Sequence, residues 1–366
     1  MRNAAELLIE FGISPSYIEG SSLAFWFASG LKKDMSMDQK LKVLVTGANG
    51  FVGSHLVEGL LDKSYQVRGL VRKTSNLKWL SGLEVDYVYG DMAQKASLKG
   101  AVKDVELVFH CAGLTKANSK EEYFKANAEG TENLLEVCLE DNPKIKRLVH
   151  LSSQAAVGPG DDKQPLNETA PCRPVTYYGE SKLEGERIVL QHASQLPVTV
   201  IRPPAVYGPR DSDMLGFFKV ANKGFRISFA RGESFLSLIY VKDLIDGIIL
   251  AAENPKSVGQ IYFIADDKVY SWSEAFKIIS KILNKRTIPL KIPKSVAMFL
   301  AFISENFSKI TRRTATFNIQ KAKEITQRYW ILDVSKAKAE LGFFPQHDLE
   351  SGAKETIRWY KEKGWL

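Results

Sequence analysis

The sequence predicts an α/β fold, a doubly wound parallel sheet with a smaller C-terminal α/β domain. Three observations predict it. An apolar, strand-like run at Leu41–Val45 leads into three glycines, Gly47, Gly50 and Gly53, and then into Leu56, Val57, Leu60 and Leu61 at helical spacing. Further strand-like runs then alternate with helical segments as far as Ile201. Beyond Arg202 the alternation stops, and two proline-rich turns appear.

The first unit reads as strand, glycine turn, helix. Gly47 suits the tight turn. Gly50 leaves no Cβ where backbone N–H groups would approach a phosphate, and Gly53 lets the helix lie close to the strand. With Asn49, Phe51 and Val52 between them, these residues are the candidate pyrophosphate cradle, set at the positive end of a helix. The Gly-x-x-Gly-x-x-Gly spacing alone also fits a plain βα turn. The strand before it and the helix after it favour a dinucleotide.

The second strand, Tyr65–Val71, ends in Arg72-Lys73, where enzymes that use NAD usually carry a carboxylate for the ribose. Arg72 is the candidate partner of a 2′-phosphate, so NADP is the expected cofactor and NAD the alternative. A pair of solvated turn cations is the plainer reading. Val85–Tyr89 is a third strand, and Gly90-Asp91-Met92 follow it where an adenine would lie. A fourth, Val105–His110, ends in Cys111-Ala112-Gly113, small enough for a cofactor to cross. Asn127–Glu140 is a helix, Leu148–Ser153 a fifth strand and Val198–Ile201 a sixth.

Ser153 closes the fifth strand, and Tyr178 and Lys182 stand four apart on a helix expected over Tyr178–His192. A phenol near pKa 10 is a poor base at neutral pH, and a neighbouring ammonium would lower it. Ser153 could hold a substrate oxygen while Tyr178 moves the proton and Lys182 bonds a ribose. The pair by itself also fits a solvated helix face. Tyr177 is the rival tyrosine, but four residues on it meets Ser181, not a cation.

On these residues the chain resembles the extended short-chain dehydrogenase/reductases, the NAD-dependent epimerase/dehydratase group. The matching pieces are Thr46–Gly53, Gly90-Asp91, His110–Gly113, Asn127 with Gly130-Thr131, Ser152-Ser153, Tyr178 with Lys182, and Arg202–Arg210. Ile239–Leu244 and Asp333–Gly342 also match, so the likeness runs from Leu41 to the C-terminus. It implies a Rossmann fold and a Ser153, Tyr178, Lys182 triad. It also implies cofactor contacts at Gly47, Gly50, Phe51, Gly53, Asp91 and, after Arg202, Pro204 and Val206. By the same likeness, residues 37–202 with 238–265 form the nucleotide domain, and 203–237 with 266–366 bind substrate.

Two departures bear on that substrate. Nucleotide-sugar members of the group carry an Asn where Ala205 stands and a diphosphate-holding Arg where Leu236 stands. Losing an amide and a charge-assisted contact would cost such a ligand several kcal/mol, by rough estimate. The pocket is expected to suit a less polar alcohol or ketone, as in the 3β-hydroxysteroid dehydrogenase and dihydroflavonol reductase branches. Phe217, Phe218, Phe225, Phe229 and Phe235 are either a small core or, in part, the lining of that pocket. Ser271–Leu283 reads as a helix with a capping box at Ser271 and Glu274. Pro293–Ile303 is apolar but too short to span a bilayer, so it is a core helix or an interfacial one.

Three scattered cysteines favour a reducing compartment, with no metal spacing. The net charge of +8 fits anionic cofactors or membrane surfaces, and no nucleic-acid motif is present. Met1–Ser36 fits the first strand poorly and reads as a mis-assigned start, a loose appendage or an amphipathic membrane contact. The expected setting is cytoplasmic, with a small-molecule substrate, a homodimer by family likeness, and a peripheral membrane contact as one candidate. Three functions stay open: an oxidoreductase on an apolar alcohol, a nucleotide-sugar epimerase or dehydratase, and an NADP-binding sensor.

Overall fold

Val43, Leu44 and Val45 of β1 (Lys42–Thr46) have no exposed surface, as a strand covered on both faces requires. In the computed structural model, which describes residues 40–229, 232–311 and 317–366, β1 is an interior strand of the main sheet. The expectations for Met1–Ser36 lie outside the described residues. The other strands are β2 (Gln66–Val71), β3 (Val85–Tyr89), β4 (Leu107–His110), β5 (Arg147–Leu151), β6 (Val198–Arg202) and β7 (Ile261–Phe263). Their order is β7-β6-β5-β4-β1-β2-β3, every neighbouring pair parallel.

Side chains alternate between two cores. Val43 and Val45 face α1 (Phe51–Asp62) and the later helix Val241–Glu253, through Leu56, Leu60, Ile245 and Ile249. Leu44 faces the opposite core, with Leu134, Leu135 and Cys138 of α2 (Gly130–Asp141) and Val189 of α3 (Tyr177–Gln191). Helices on both faces of a parallel sheet make this a doubly wound Rossmann fold. The chain reverses its spatial progression between β1 and β4, so a crevice opens at the carboxyl ends of those two strands.

Several expected boundaries move for local reasons. Ser153 leaves the fifth strand to cap the short helix Gln154–Val157, its Oγ accepting from Ala155 N–H at 3.1 Å. The helix expected from Asn127 starts instead as a π-helical turn, Lys125–Glu129, before α2. Thr176 caps α3 by accepting from Gly179 N–H, which starts that helix at Tyr177.

A further core gathers Tyr207, Phe218, Tyr240, Phe276, Leu349 and Tyr360. It joins α5 (Trp272–Ile282), counting Val241–Glu253 as α4, to a helix near the C-terminus, Leu349–Glu362. Phe217 packs 4.0 Å from Phe276 and 4.9 Å from Trp272, between ring centroids. The phenylalanines therefore divide. Phe217 and Phe218 serve this core, while Phe225 is exposed. Ser271 caps α5, but Glu274 pairs with Lys268 at 2.8 Å and so completes no capping box. The apolar stretch at Pro293–Ile303 lies in α6 (Lys294–Thr311) and is no core helix: Phe299, Leu300 and Ile303 are exposed. Residues 41–366 form one compact unit.

Candidate active site

Gly47 has φ +67°, which a side chain rarely tolerates, and a Cβ there would lie 2.8 Å from Ala112 N. The turn thus presses against the end of β4. A Cβ on Gly53 would fall 2.1 Å from Gly47 O, so the helix can approach the strand only through glycine. Gly50 is different: its nearest neighbour would be Gly47 O at 3.2 Å, and it is exposed. It precedes α1 without a side-chain cap, and no acidic residue stands in the first turn. Asn49, Phe51 and Val52 are half-buried around that open helix end.

The other expected cofactor residues fall on the same edge of the sheet. Arg72 directly follows β2, exposed, with no ion pair among the described residues. Asp91 follows β3; its carboxylate accepts from Ala93 N–H at 3.0 Å and its own N–H donates to Ser97 Oγ at 2.9 Å. Met92 beside it is half-buried. Cys111, Ala112 and Gly113 follow β4, and burial pushes the Cys111 thiol up to about 12, keeping it protonated. Pro204 and Val206 follow β6. This segment is pinned to α1, because Arg210 reaches Ser54 Oγ at 3.0 Å and Glu58 Oε1 at 2.6 Å. A glycine cradle, an uncapped helix end and an unpaired arginine at one sheet edge fit a nicotinamide dinucleotide.

Ser153, Tyr178 and Lys182 come together at the end of β5. Tyr178 has Ser153 beside its hydroxyl, and its ring centroid is 6.2 Å from that of Tyr123. Lys182, buried, donates from Nζ to Leu151 O at 2.7 Å. Tyr177 points outward and is exposed. One expectation is corrected here. Burial holds the Tyr178 phenol up at about 12, against the pull of Ser153, and the carboxylates of Glu324 and Asp213 raise it further. Burial brings Lys182 itself down to about 8, with Glu186 and Cys111 opposing.

Three supporting groups were not among the expected site residues. Asn127 accepts from Leu114 N–H at 2.8 Å and donates to Leu114 O and to Ser181 Oγ, tying the loop after Gly113 to α3. Arg202 forks onto Glu186, one turn beyond Lys182, with both residues almost fully buried. Beneath Lys182 lie two buried imidazoles, His110 and His150, with centroids 5.1 Å apart. His110 is held between Thr46 Oγ1 at 2.8 Å and Thr131 Oγ1 at 3.0 Å, while His150 has no hydrogen-bond partner among the described residues. Burial and the nearby Lys182 lower both, His110 to about 3. The signal for Asn127 was a buried amide on a helix otherwise apolar inside, at a spacing that the resemblance already marked.

The departures also acquire positions. Leu236 is buried in the aromatic core beside Leu238 and Tyr207, and Ala205 is exposed. The described residues hold no cluster fit for a metal and no helix long and apolar enough to cross a membrane.

Comparison with known proteins agrees with this geometry. The sequence profile of the NAD dependent epimerase/dehydratase family matches residues 43–265. A ceramide reductase of Caulobacter vibrioides is 27% identical over 333 residues, 91% of this chain and 98% of that one. The decarboxylating sterol-4-alpha-carboxylate 3-dehydrogenase of Mus musculus is 29% identical over 346 residues, 90% of this chain and 92% of that one. The crystal structure of gox2253 superposes with a TM-score of 0.75 at 27% identity, covering 88% of this chain and 99% of that one. The chain is an oxidoreductase and belongs to the NAD-dependent epimerase/dehydratase family.

Proposed function

We propose that the protein moves a hydride between NADP and a secondary alcohol or ketone of a fairly apolar substrate, sterol- or flavonol-like in character. The observation that carries the chemistry is the buried Tyr178 hydroxyl beside Ser153, one helical turn from the buried Lys182. Leu236 and Ala205 support the substrate class, since neither can hold a diphosphate or a nucleotide base. The names of the ceramide and sterol relatives point the same way.

The nicotinamide, when bound, supplies the hydride acceptor or donor. Gly47, Asn49, Gly50, Phe51, Val52 and Gly53 hold the pyrophosphate end, and Arg72 the 2′-phosphate. Asp91, Met92, Cys111, Ala112, Gly113, Pro204 and Val206 would complete the cofactor site. Ser153 Oγ orients the substrate oxygen. Tyr178, protonated in this state, donates to a ketone oxygen. In the oxidative direction its pKa must fall, and Lys182 is the cation one helical turn away that can lower it while bonding the ribose. Asn127 and the Arg202–Glu186 fork hold α3 in place for both. Residues 37–202 with 238–265 would then be the nucleotide domain and the remainder from 203 the substrate domain. A homodimer is the assembly that the family likeness suggests, and the three scattered cysteines favour a reducing, cytoplasmic setting.

The test is turnover with NADP+ or NADPH against apolar secondary alcohols and ketones, beside UDP- and dTDP-sugars. Absorbance at the reduced-nicotinamide band is the readout for the first set, and product chromatography for the second. Turnover of the first set is expected. Reaction with the sugars alone would overturn the assignment.

A further inference from the structure

An ordinary surface helix buries its large apolar residues and shows its small or polar ones. The first half of α6 does the reverse. Its inner positions are Ala297 and Ala301, both with no exposed surface, while Phe299 is 63% exposed and Val296, Leu300 and Ile303 between 44% and 49%. The strand that leads into it is built the same way. Ile288–Lys291 is exposed at all four residues and pairs in parallel with Phe225–Ser228. Ile288 stands opposite Phe225, and both are exposed, as is Leu290 two residues on. Ile292 and Pro293 join strand and helix, so the two outward apolar faces are continuous in the chain.

Cations surround this stretch. Lys285, Arg286, Lys291 and Lys294 are exposed, and none makes an ion pair among the described residues. Apolar side chains projecting between unpaired cations match the chemistry of a bilayer surface, with acyl chains below and anionic headgroups around. A second copy of the chain fits less well. A two-fold contact would set this cationic rim against itself.

We propose that this face docks on an anionic membrane surface. The site lies close to the chemistry. Glu305 of α6 accepts from the N–H of Ile319, the first residue of α7 (Ile319–Ile325). Gln320 in turn accepts from Tyr177 N–H at 3.0 Å, at the start of the helix that carries Tyr178 and Lys182. The docked helix is thus joined, through α7, to the entrance of α3.

Flotation of the full-length protein tests this, with vesicles of phosphatidylcholine alone and of phosphatidylcholine mixed with phosphatidylglycerol. The wild type should float with the anionic vesicles and much less with the neutral ones, and high salt should release it. Replacing Phe299 and Leu300 together by serine should cut binding by at least about tenfold. Lys291→Ser with Lys294→Ser should cost about tenfold or more on anionic vesicles only. Circular dichroism checks folding, and Ile303→Ser replaces the double variant should that fail to fold. Wild type that stays off both vesicles, or serine variants that bind as well as wild type, would overturn the proposal. So would a concentration-dependent dimer abolished by Phe299→Ser with no vesicle binding, which would assign the face to a second copy.

Discussion

At the carboxyl ends of β1 and β4 the protein presents backbone and small residues: Gly47, Gly50 and Gly53 after β1, and Cys111, Ala112 and Gly113 after β4. Elsewhere it presents bulk. Tyr207, Phe217, Trp272 and Leu349 come from segments far apart in the chain and pack into one aromatic core. The first region is specified by where side chains are missing, the second by which side chains are present. A single added methyl should therefore damage the first, while the second should respond to changes of polarity and charge.

The largest expected effect lies on the helix between the two regions. Tyr178→Phe keeps the ring and removes the hydroxyl, so kcat should fall by about 10²–10⁴ while NADP binding stays nearly intact. Tyr177→Phe, on an exposed ring, should leave both unchanged. Equal activity in Tyr178→Phe and wild type would remove the proton-transfer role.

The glycines divide the nucleotide region further. Gly53→Ala meets backbone at 2.1 Å and should lower the thermal midpoint as well as cofactor affinity. Gly50→Ala meets nothing closer than 3.2 Å and should lose affinity while melting near wild type. Paired melts and fluorescence titrations separate the two, and equal melting losses would show that the turn acts as one rigid piece.

Arg72→Ala should narrow the preference for NADPH over NADH by roughly 1.5–3 kcal/mol, the worth of a charge-assisted hydrogen bond. Isothermal titration of both nucleotides measures it. A wild type that prefers NADH would assign Arg72 to solvent.

The smallest effect lies in the aromatic region and depends on pH. Asp211 is buried, and burial raises its carboxyl to about 7 despite bonds from Asp213 and Met214 N–H. Between the unfolded value of 3.8 and 7, the unfolded chain loses its proton first, so stability falls as pH rises through that window. Asp211→Asn does not titrate. It should melt a few degrees above wild type at pH 8, on the rough scaling for domains of this size, and show no gain at pH 4. An equal change at both pH values would mean that the carboxyl is not raised.

The same contrast explains what could be read from the sequence. Glycine spacing, strand ends and a Tyr/Lys pair are local patterns, so the sheet, the cradle and the neighbourhood of Ser153, Tyr178 and Lys182 were legible. The protonation state of Tyr178 was not, because burial and the carboxylates of Asp213 and Glu324 act on it from segments that only folding brings near. Nor was the Arg202–Glu186 fork, whose partners lie on different elements. For α6 the sequence showed an apolar stretch that fits a core or an interfacial helix, but composition does not say which side chains turn inward. In the fold it is Ala297 and Ala301 that turn inward.

The two imidazoles under Lys182 bear on how the enzyme meets changing acidity. Histidines commonly gain charge between pH 5 and 7. His110 stays neutral to about pH 3, and His150 is likewise held well below the ordinary value. The two imidazoles therefore keep a constant charge between pH 5 and 7. Neither adds a positive charge beneath Lys182 in that range.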